Sequence, residues 1–365
     1  MTSLPAMDVA ARIPRLRDLM GDAGCDALLV THLTNIRYLT GFTGSAGLLL
    51  VRSDDVLFVT DGRYRDQSRE QLDANGVGGR IEISATEQES KLAEAGRGID
   101  RVGLEATHVT WSAKRRYGAK VFDGATVVAT EGLVERLRAK KDHGEIARIE
   151  AACRIADDAL ALVLPRLKDE PAERDFGLEL DFTMRRMGAS NVSFETIVAS
   201  GPNGAKPHAR PSDRRVREGD LVVIDFGALL DGYHSDMTRT VSIGEPTETQ
   251  CRMDSVVRAA QAAGVAAVRP GVTGRDVDKV CRDLITEAGW GDAFLHGTGH
   301  GVGLDIHEDP RVAGTATATL EPGHVVTVEP GVYLPEHGGV RIEDTVVVTE
   351  DGCRPLTTAP KELVL

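Results

Sequence analysis

Two domains, both mixing helices and strands, are predicted by three features of the sequence. Its 365 residues exceed a usual single core. Short apolar runs separated by turns fill the stretch after residue 25. Further on, an order of helix, proline, helix, glycine and strand occurs twice. We expect an α/β domain over residues 1–135 and a second domain over residues 136–365 built as two similar halves. A cleft between such halves is a common place for a site.

The elements follow in chain order. CDALLVT, GLLLVRS and DVLFVTD, between residues 25 and 61, are apolar, β-branched runs that read as strands. TGFTGSAG, residues 40–47, joins the first two and reads as a tight turn. It has neither the GxxxxGK(S/T) order of a phosphate loop nor the GxGxxG order of a dinucleotide fold. Asp142 stands three residues before Glu145, the spacing of a capping box. Ile146, Ile149, Cys153, Ala156 and Leu160 then recur on one helical face, which predicts a helix over 143–164. Pro165, a helical stretch over 173–187, Gly188 and the strand-like NVSFETIVAS come next. The order returns with a helix over 250–268, Pro270, a helix capped by Thr273, Gly289 and the apolar FLHG.

Composition excludes some functions. The net charge of -13 opposes nucleic-acid binding, which depends on Lys and Arg meeting phosphates. No apolar run is long enough for a membrane span, and the N-terminus has no apolar h-region. Five cysteines without a CxxC motif fit reduced thiols in a cytoplasmic protein, most of them packed in cores.

The chemistry gathers in four places. In LVVIDFGALLDGYHSDMTRTVSIG, residues 221–244, two β-rich runs flank Asp231-Gly232, a two-residue hairpin turn. Centring the turn there sets Leu230 against Tyr233 and, counting back, Asp236 against Gly227. Asp225 shares a face with Gly227, so Asp225 and Asp236 are diagonal neighbours about 7–8 Å apart at Cα. Two carboxylates converging on an apolar hairpin desolvate and repel without a cation. Asp231 reads as an ordinary turn residue. Glu329 ends the apolar VVTVEPGVYL and Glu343 interrupts GVRIEDTVVVT, where an acid needs a partner. For Glu343 that partner is either a metal or Arg341, two residues away on the same strand face.

HGTGHGVGLDIHEDP, residues 296–310, spaces His296 and His300 as a helical zinc site would. Its glycines cost a helix about 4 kcal/mol in total, so the chain is extended and these histidines stand roughly 13 Å apart. At most one of them serves a compact site. His307-Glu308-Asp309-Pro310 looks like a turn. His208, between prolines in GAKPHARPSD, reads as a loop histidine.

Together these motifs resemble the pita-bread metallopeptidases of family M24, in the branch of aminopeptidase P and prolidase. The likeness spans essentially the whole chain, with NIRYLTGFTGS and TDGRY marking the N-terminal domain. The fold it implies is a creatinase/prolidase-type α/β domain, serving substrate access and dimerisation, and an α+β pita-bread domain with an internal pseudo-twofold repeat. The metal ligands it implies are Asp225, Asp236, His300, Glu329 and Glu343. It puts His208, His296 and His307 around them or in the substrate pocket, with Tyr333 and Arg341 nearby. The setting GVRIED favours this branch over methionine aminopeptidases, which carry Gln-Phe-Glu there. A methionine aminopeptidase-like exopeptidase and a silent peptide-binding protein of the same fold are the alternatives, the second opposed by the full ligand set.

The implied activity is hydrolysis of the bond before proline in small peptides, by a cytoplasmic homodimer. Four carboxylates match the charge of two divalent ions, and oxygen-rich donors with one imidazole favour Mn²⁺, with Co²⁺ or Zn²⁺ as substitutes. His208 or His296 would face the oxyanion, Glu329 would move the proton, and His307, Arg341 and Tyr333 would hold the substrate.

Overall fold

The computed structural model describes residues 4–364. The chain folds as two compact units, residues 7–138 and residues 139–364 with 4–6. The first unit runs α1 (Arg12–Asp22), β1 (Ala27–Val30), α2 (Leu33–Thr40), β2 (Leu48–Arg52), β3 (Val56–Thr60), α3 (Arg65–Ala74), β4 (Arg80–Ile83), α4 (Gln88–Ala95), β5 (Arg101–Glu105), α5 (Trp111–Arg116), β6 (Thr126–Thr130) and α6 (Leu133–Ala139). Its sheet has the order β4-β3-β2-β1-β5-β6. β1 and β3 are buried along their whole length, which is why they read as unbroken apolar runs rather than alternating ones. TGFTGSAG is not a tight turn. Thr40 ends α2, Gly41 takes the left-handed cap position at φ 75°, and a loop then runs to β2.

The second unit opens on α7 (His143–Val163) and α8 (Glu173–Arg186). Asp142 and Glu145 form the capping box. NVSFETIVAS supplies two strands, β7 (Asn191–Val192) and β8 (Ile197–Ser200), which enter different sheets. Next come β9 (Leu221–Phe226), β10 (Ala228–Leu230), β11 (Tyr233–His234) and β12 (Met237–Ser242). The second half repeats the plan with α9 (Glu248–Ala267) and α10 (Gly274–Glu287), both started by capping boxes. Its strands are β13 (Gly299–Gly301), β14 (Glu308–Val312), β15 (Val325–Val328), β16 (Gly331–Leu334), β17 (Gly338–Arg341), β18 (Asp344–Val348) and β19 (Cys353–Pro355).

Each half has its own core. Ala152, Ala156, Leu160, Phe176 and Leu180 of α7 and α8 pack on Val222, Ile224, Phe226 and Met237. Met253, Val257, Val277 and Ile285 of α9 and α10 pack on Val326, Val328, Val332 and Val346. Each fully buried Val, Leu, Ile, Phe or Met side chain among these contributes about 1.5–3 kcal/mol against exposure. Cys25, Cys153 and Cys281 are buried.

Two predictions for the histidine-rich stretch need correction. FLHG lies outside any strand, and pairing begins instead at Gly299. Residues 303–307 form the bend, while Glu308–Val312 is a strand on β13 rather than a turn. The glycines explain both shifts. A Cβ on Gly299 would sit 2.0 Å from Thr327 O, and one on Gly301 would sit 2.5 Å from Asp309 O. Strands on either side approach β13 too closely for any side chain at those positions.

Candidate active site

The two hairpins position the acids. In the first, Asp231 and Gly232 have φ of 48° and 77°, the paired positive values of a type I′ turn. Leu230 pairs with Tyr233, Met237 with Phe226 and Thr238 with Asp225, so one register runs through the hairpin and sets Asp236 across from Gly227. A Cβ on Gly227 would lie 1.9 Å from Ser235 O, so only glycine lets the strands close there. Asp231 points away and pairs with Arg148 at 2.6 Å.

The second hairpin has the same construction. Val328 pairs with Asp344 and Gly331 with Arg341, and the same count sets Glu329 across from Glu343. Thr238 ties the hairpins together, donating to Glu343 Oε2 at 2.7 Å and accepting from Arg341 Nε at 3.1 Å. Thr238 was readable from the predicted ladder, where it stands opposite Asp225, but its link to Glu343 spans 105 residues.

Asp225, Asp236, His300, Glu329 and Glu343 line one cavity of about 650 Å³, together with His208, His296, His307 and Arg341. Asp236, His300 and Glu343 each offer a ligand atom, all within 4.8 Å of one another. His300 Nε2 lies 3.5 Å from both Asp236 Oδ2 and Glu329 Oε1. Its Nδ1 is 3.0 Å from Gly301 O. That carbonyl only accepts, so it takes the Nδ1 proton and leaves the Nε2 lone pair facing the acids. Burial, with His307 next, lowers the His300 pKa to about 3, so the ring stays neutral.

Arg341 does not pair with Glu343. Its Nη2 donates to Asp225 Oδ2 at 2.6 Å and its Nη1 to Tyr333 Oη at 2.7 Å and Pro207 O at 3.2 Å. A guanidinium only donates, so Tyr333 must give its own proton to His296 Nε2, 2.8 Å away. His296 then carries its proton on Nδ1 and donates it to Gly297 O at 2.8 Å. Both ring nitrogens of His296 are thereby engaged. Burial pulls its pKa down to about 4, consistent with a neutral ring. Tyr333 itself is 4% exposed and stands behind this wall. His208 and His307 are exposed on the cavity, the His307 ring packing edge-on against His300 at 4.3 Å. Arg311, which belongs to none of the motifs above, also lines the cavity.

The carboxylates are short of positive charge. Burial and then the neighbouring acids hold Asp236 and Glu343 well above the usual carboxylate range. Burial raises Glu329 to about 8, partly opposed by Arg341. Asp225 Oδ1 and Glu343 Oε1 are buried with no hydrogen-bond partner. Four acids against one guanidinium, two orphaned carboxylate oxygens and an imidazole lone pair aimed at them form a donor set that fits hard divalent cations.

Such a donor set on two pseudo-equivalent hairpins marks a metallopeptidase, and comparison with known proteins agrees. The model of metallopeptidase family M24 matches residues 147–350, and that of the Creatinase/Prolidase N-terminal domain matches residues 12–140. The chain belongs to metallopeptidase family M24. It is 35% identical to an Xaa-Pro dipeptidase of Pyrococcus furiosus, over 97% of this chain and 99% of the relative. A solved Xaa-Pro dipeptidase from Bacillus anthracis superposes with a TM-score of 0.94 at 41% identity, covering 98% of this chain and 100% of that one. An X-Pro aminopeptidase from Thermotoga maritima gives a TM-score of 0.88 at 35% identity, covering 96% and 100%. No helix among the described residues is long and apolar enough to cross a membrane.

Proposed function

We propose that this protein hydrolyses the peptide bond preceding proline, using two divalent ions held by Asp225, Asp236, His300, Glu329 and Glu343. The observation that supports this reading most is the gathering of four carboxylates in one cavity with a single guanidinium, Arg341, bonded to one of them. Two divalent cations balance that charge, and the oxygen-rich set with one imidazole favours Mn²⁺, with Co²⁺ or Zn²⁺ able to replace it. Bound there, the ions supply the positive charge that keeps the carboxylates ionised and that acidifies a water for attack on a carbonyl.

The protein's own groups do the rest. Arg341 fixes the Asp225 carboxylate, and the Gly301 carbonyl fixes the tautomer of His300. His208 is the wall histidine suited to donate to the oxyanion, because the ring nitrogens of His296 are already engaged. His296 instead holds Tyr333, and through it Arg341, in place. A prolyl nitrogen has no hydrogen and leaves poorly until protonated, and Glu329, which accepts from Thr327 Oγ1 at 3.3 Å, would take the proton lost by the attacking water and pass it to that nitrogen.

Arg311 favours dipeptides over longer chains. It is exposed on the cavity and has no acidic partner among the described residues, so it offers a free cation beside His307 for a substrate's terminal carboxylate. Rates on an Xaa-Pro dipeptide and an Xaa-Pro-Yaa tripeptide, measured with Mn²⁺, test this. The dipeptide should be preferred by about tenfold or more. Equal rates, or preference for the tripeptide, would assign the protein to the aminopeptidases.

A further inference from the structure

His208 stands on a long irregular loop, residues 201–213, between β8 and β9. Loops of this kind are ordinarily the mobile part of a fold, whereas a group that meets a transition state must be held to within about 0.5 Å. One buried side chain closes this loop. Glu173, the first residue of α8, is 0% exposed and accepts from both ends of the loop. Its Oε1 takes Ser200 N at 2.7 Å and Ser200 Oγ at 2.7 Å. Its Oε2 takes Ser212 N at 3.0 Å and Ser212 Oγ at 2.6 Å. Asn203 Nδ2 lies 3.1 Å and 3.0 Å from the two oxygens. Arg214 braces the same cluster, donating to Ser200 Oγ at 2.5 Å while paired with Asp220 at 2.6 Å.

Two further contacts fix the loop between those ends. The Gly204 carbonyl stacks on β17 so closely that a Cβ on Gly339 would lie 1.9 Å from it. Arg341 Nη1 reaches Pro207 O, the residue before His208. The other half has a parallel device. Asp278 of α10, 1% exposed, accepts Thr298 N at 3.1 Å and Thr298 Oγ1 at 3.0 Å. Arg282, bound to Asp278 at 2.9 Å, donates to His296 O at 2.8 Å. Corresponding helices of the two halves thus each use one buried carboxylate to hold one histidine-bearing wall.

We propose that Glu173 is a positioning residue for His208, fixing the loop through its two ends. The proposal rests on the role given to His208 above. An acid is required because two of the donors are backbone N–H groups, which cannot turn round to accept. Glu173→Gln keeps the shape but aims an NH₂ group at a shell made of donors.

The test compares Glu173→Gln, His208→Ala and the double variant. It reads kcat and KM on an Xaa-Pro dipeptide with Mn²⁺, and amide hydrogen exchange of residues 201–213 in metal-free protein. Glu173→Gln should lower kcat by about 10–100-fold with KM within about threefold, and speed loop exchange by about tenfold or more. In the His208→Ala background it should cost less than about twofold further. Glu173→Asp should recover part of the loss. Where Glu173→Gln lowers the yield of folded protein, Ser212→Ala, which removes one donor, should move the same readouts in the same direction by less. Independent, multiplying losses in the double variant would overturn the proposal, as would native loop exchange in Glu173→Gln. A native kcat in His208→Ala would instead refute the oxyanion role of His208, and loop exchange would then decide the role of Glu173.

Discussion

Arg341 Nη2 lies 2.6 Å from Asp225 Oδ2, and among the described residues it is the one guanidinium bonded to any of Asp225, Asp236, Glu329 and Glu343. Both side chains are largely buried, at 3% and 14% exposure. Removing one partner of such a pair strands the other. Arg341→Met should destabilise the metal-free protein by about 3–5 kcal/mol, read by denaturant unfolding. Mn²⁺ should restore part of that loss, because the ion supplies the missing charge to Asp225.

His208→Ala should keep its metal and lose about 10²–10³ in kcat. Metal analysis of the purified variant, beside its kinetics, checks this. Loss of metal would make His208 a ligand rather than a substrate contact.

Gly227→Ala places a methyl group 1.9 Å from Ser235 O, against backbone rather than a flexible side chain. The hairpin must open there, which moves Asp236 on the facing strand. We expect destabilisation of at least about 1–3 kcal/mol and weaker metal binding, measured by thermal unfolding and by titration with Mn²⁺. The neighbouring turn residue offers a control: Asp231→Asn should keep metal affinity, since that side chain pairs with Arg148 and does not line the cavity.

His324 gives a pH dependence away from the cavity. Its Nδ1 accepts from Glu321 N at 3.1 Å, and burial, then Lys141, lowers its pKa to about 4. The unfolded chain, with a pKa of about 6.5, takes up the proton first. This contribution is therefore complete above pH ~6.5 and lost as pH falls towards 4. Allowing for partial exposure, the loss is on the order of 1–2 kcal/mol. Unfolding free energy of wild type and His324→Asn between pH 7 and 4 should show a flatter profile for the variant. Parallel profiles would remove His324 as a source of the slope.

Much of the site was readable because its determinants are local. Asp231-Gly232 sets the register of one hairpin, and alternation then brings Asp225 and Asp236 to one face. Acids set in apolar runs of sequence flagged Glu329 and Glu343, which the structure puts between strands, just after β15 and just before β18, and the glycines flanking His300 ruled out a helix. What stayed hidden depends on pairings between distant segments. The Arg341–Asp225 bond spans 116 residues, so Arg341 looked equally suited to Glu343 two positions away. The tautomer of His296 follows from Tyr333 and Arg341, which no spacing rule links. The turn expected at residues 307–310 gives way to a strand from Glu308 because Gly299 and Gly301 of β13 let neighbouring backbone approach closely. Glu173 reads as an ordinary first-turn helix acid until the loop ends close around it.

A two-ion centre that hydrolyses Xaa-Pro bonds must both hold its metal and depend on it for rate. The most direct measurement is metal content per chain together with Xaa-Pro hydrolysis, for wild type, Asp236→Ala and Glu343→Ala after reconstitution with Mn²⁺. We predict about two ions per wild-type chain and losses in rate of at least about 10³ in both variants. Fewer than one ion per chain with no hydrolysis by wild type, or near-native rates in either variant, would contradict it.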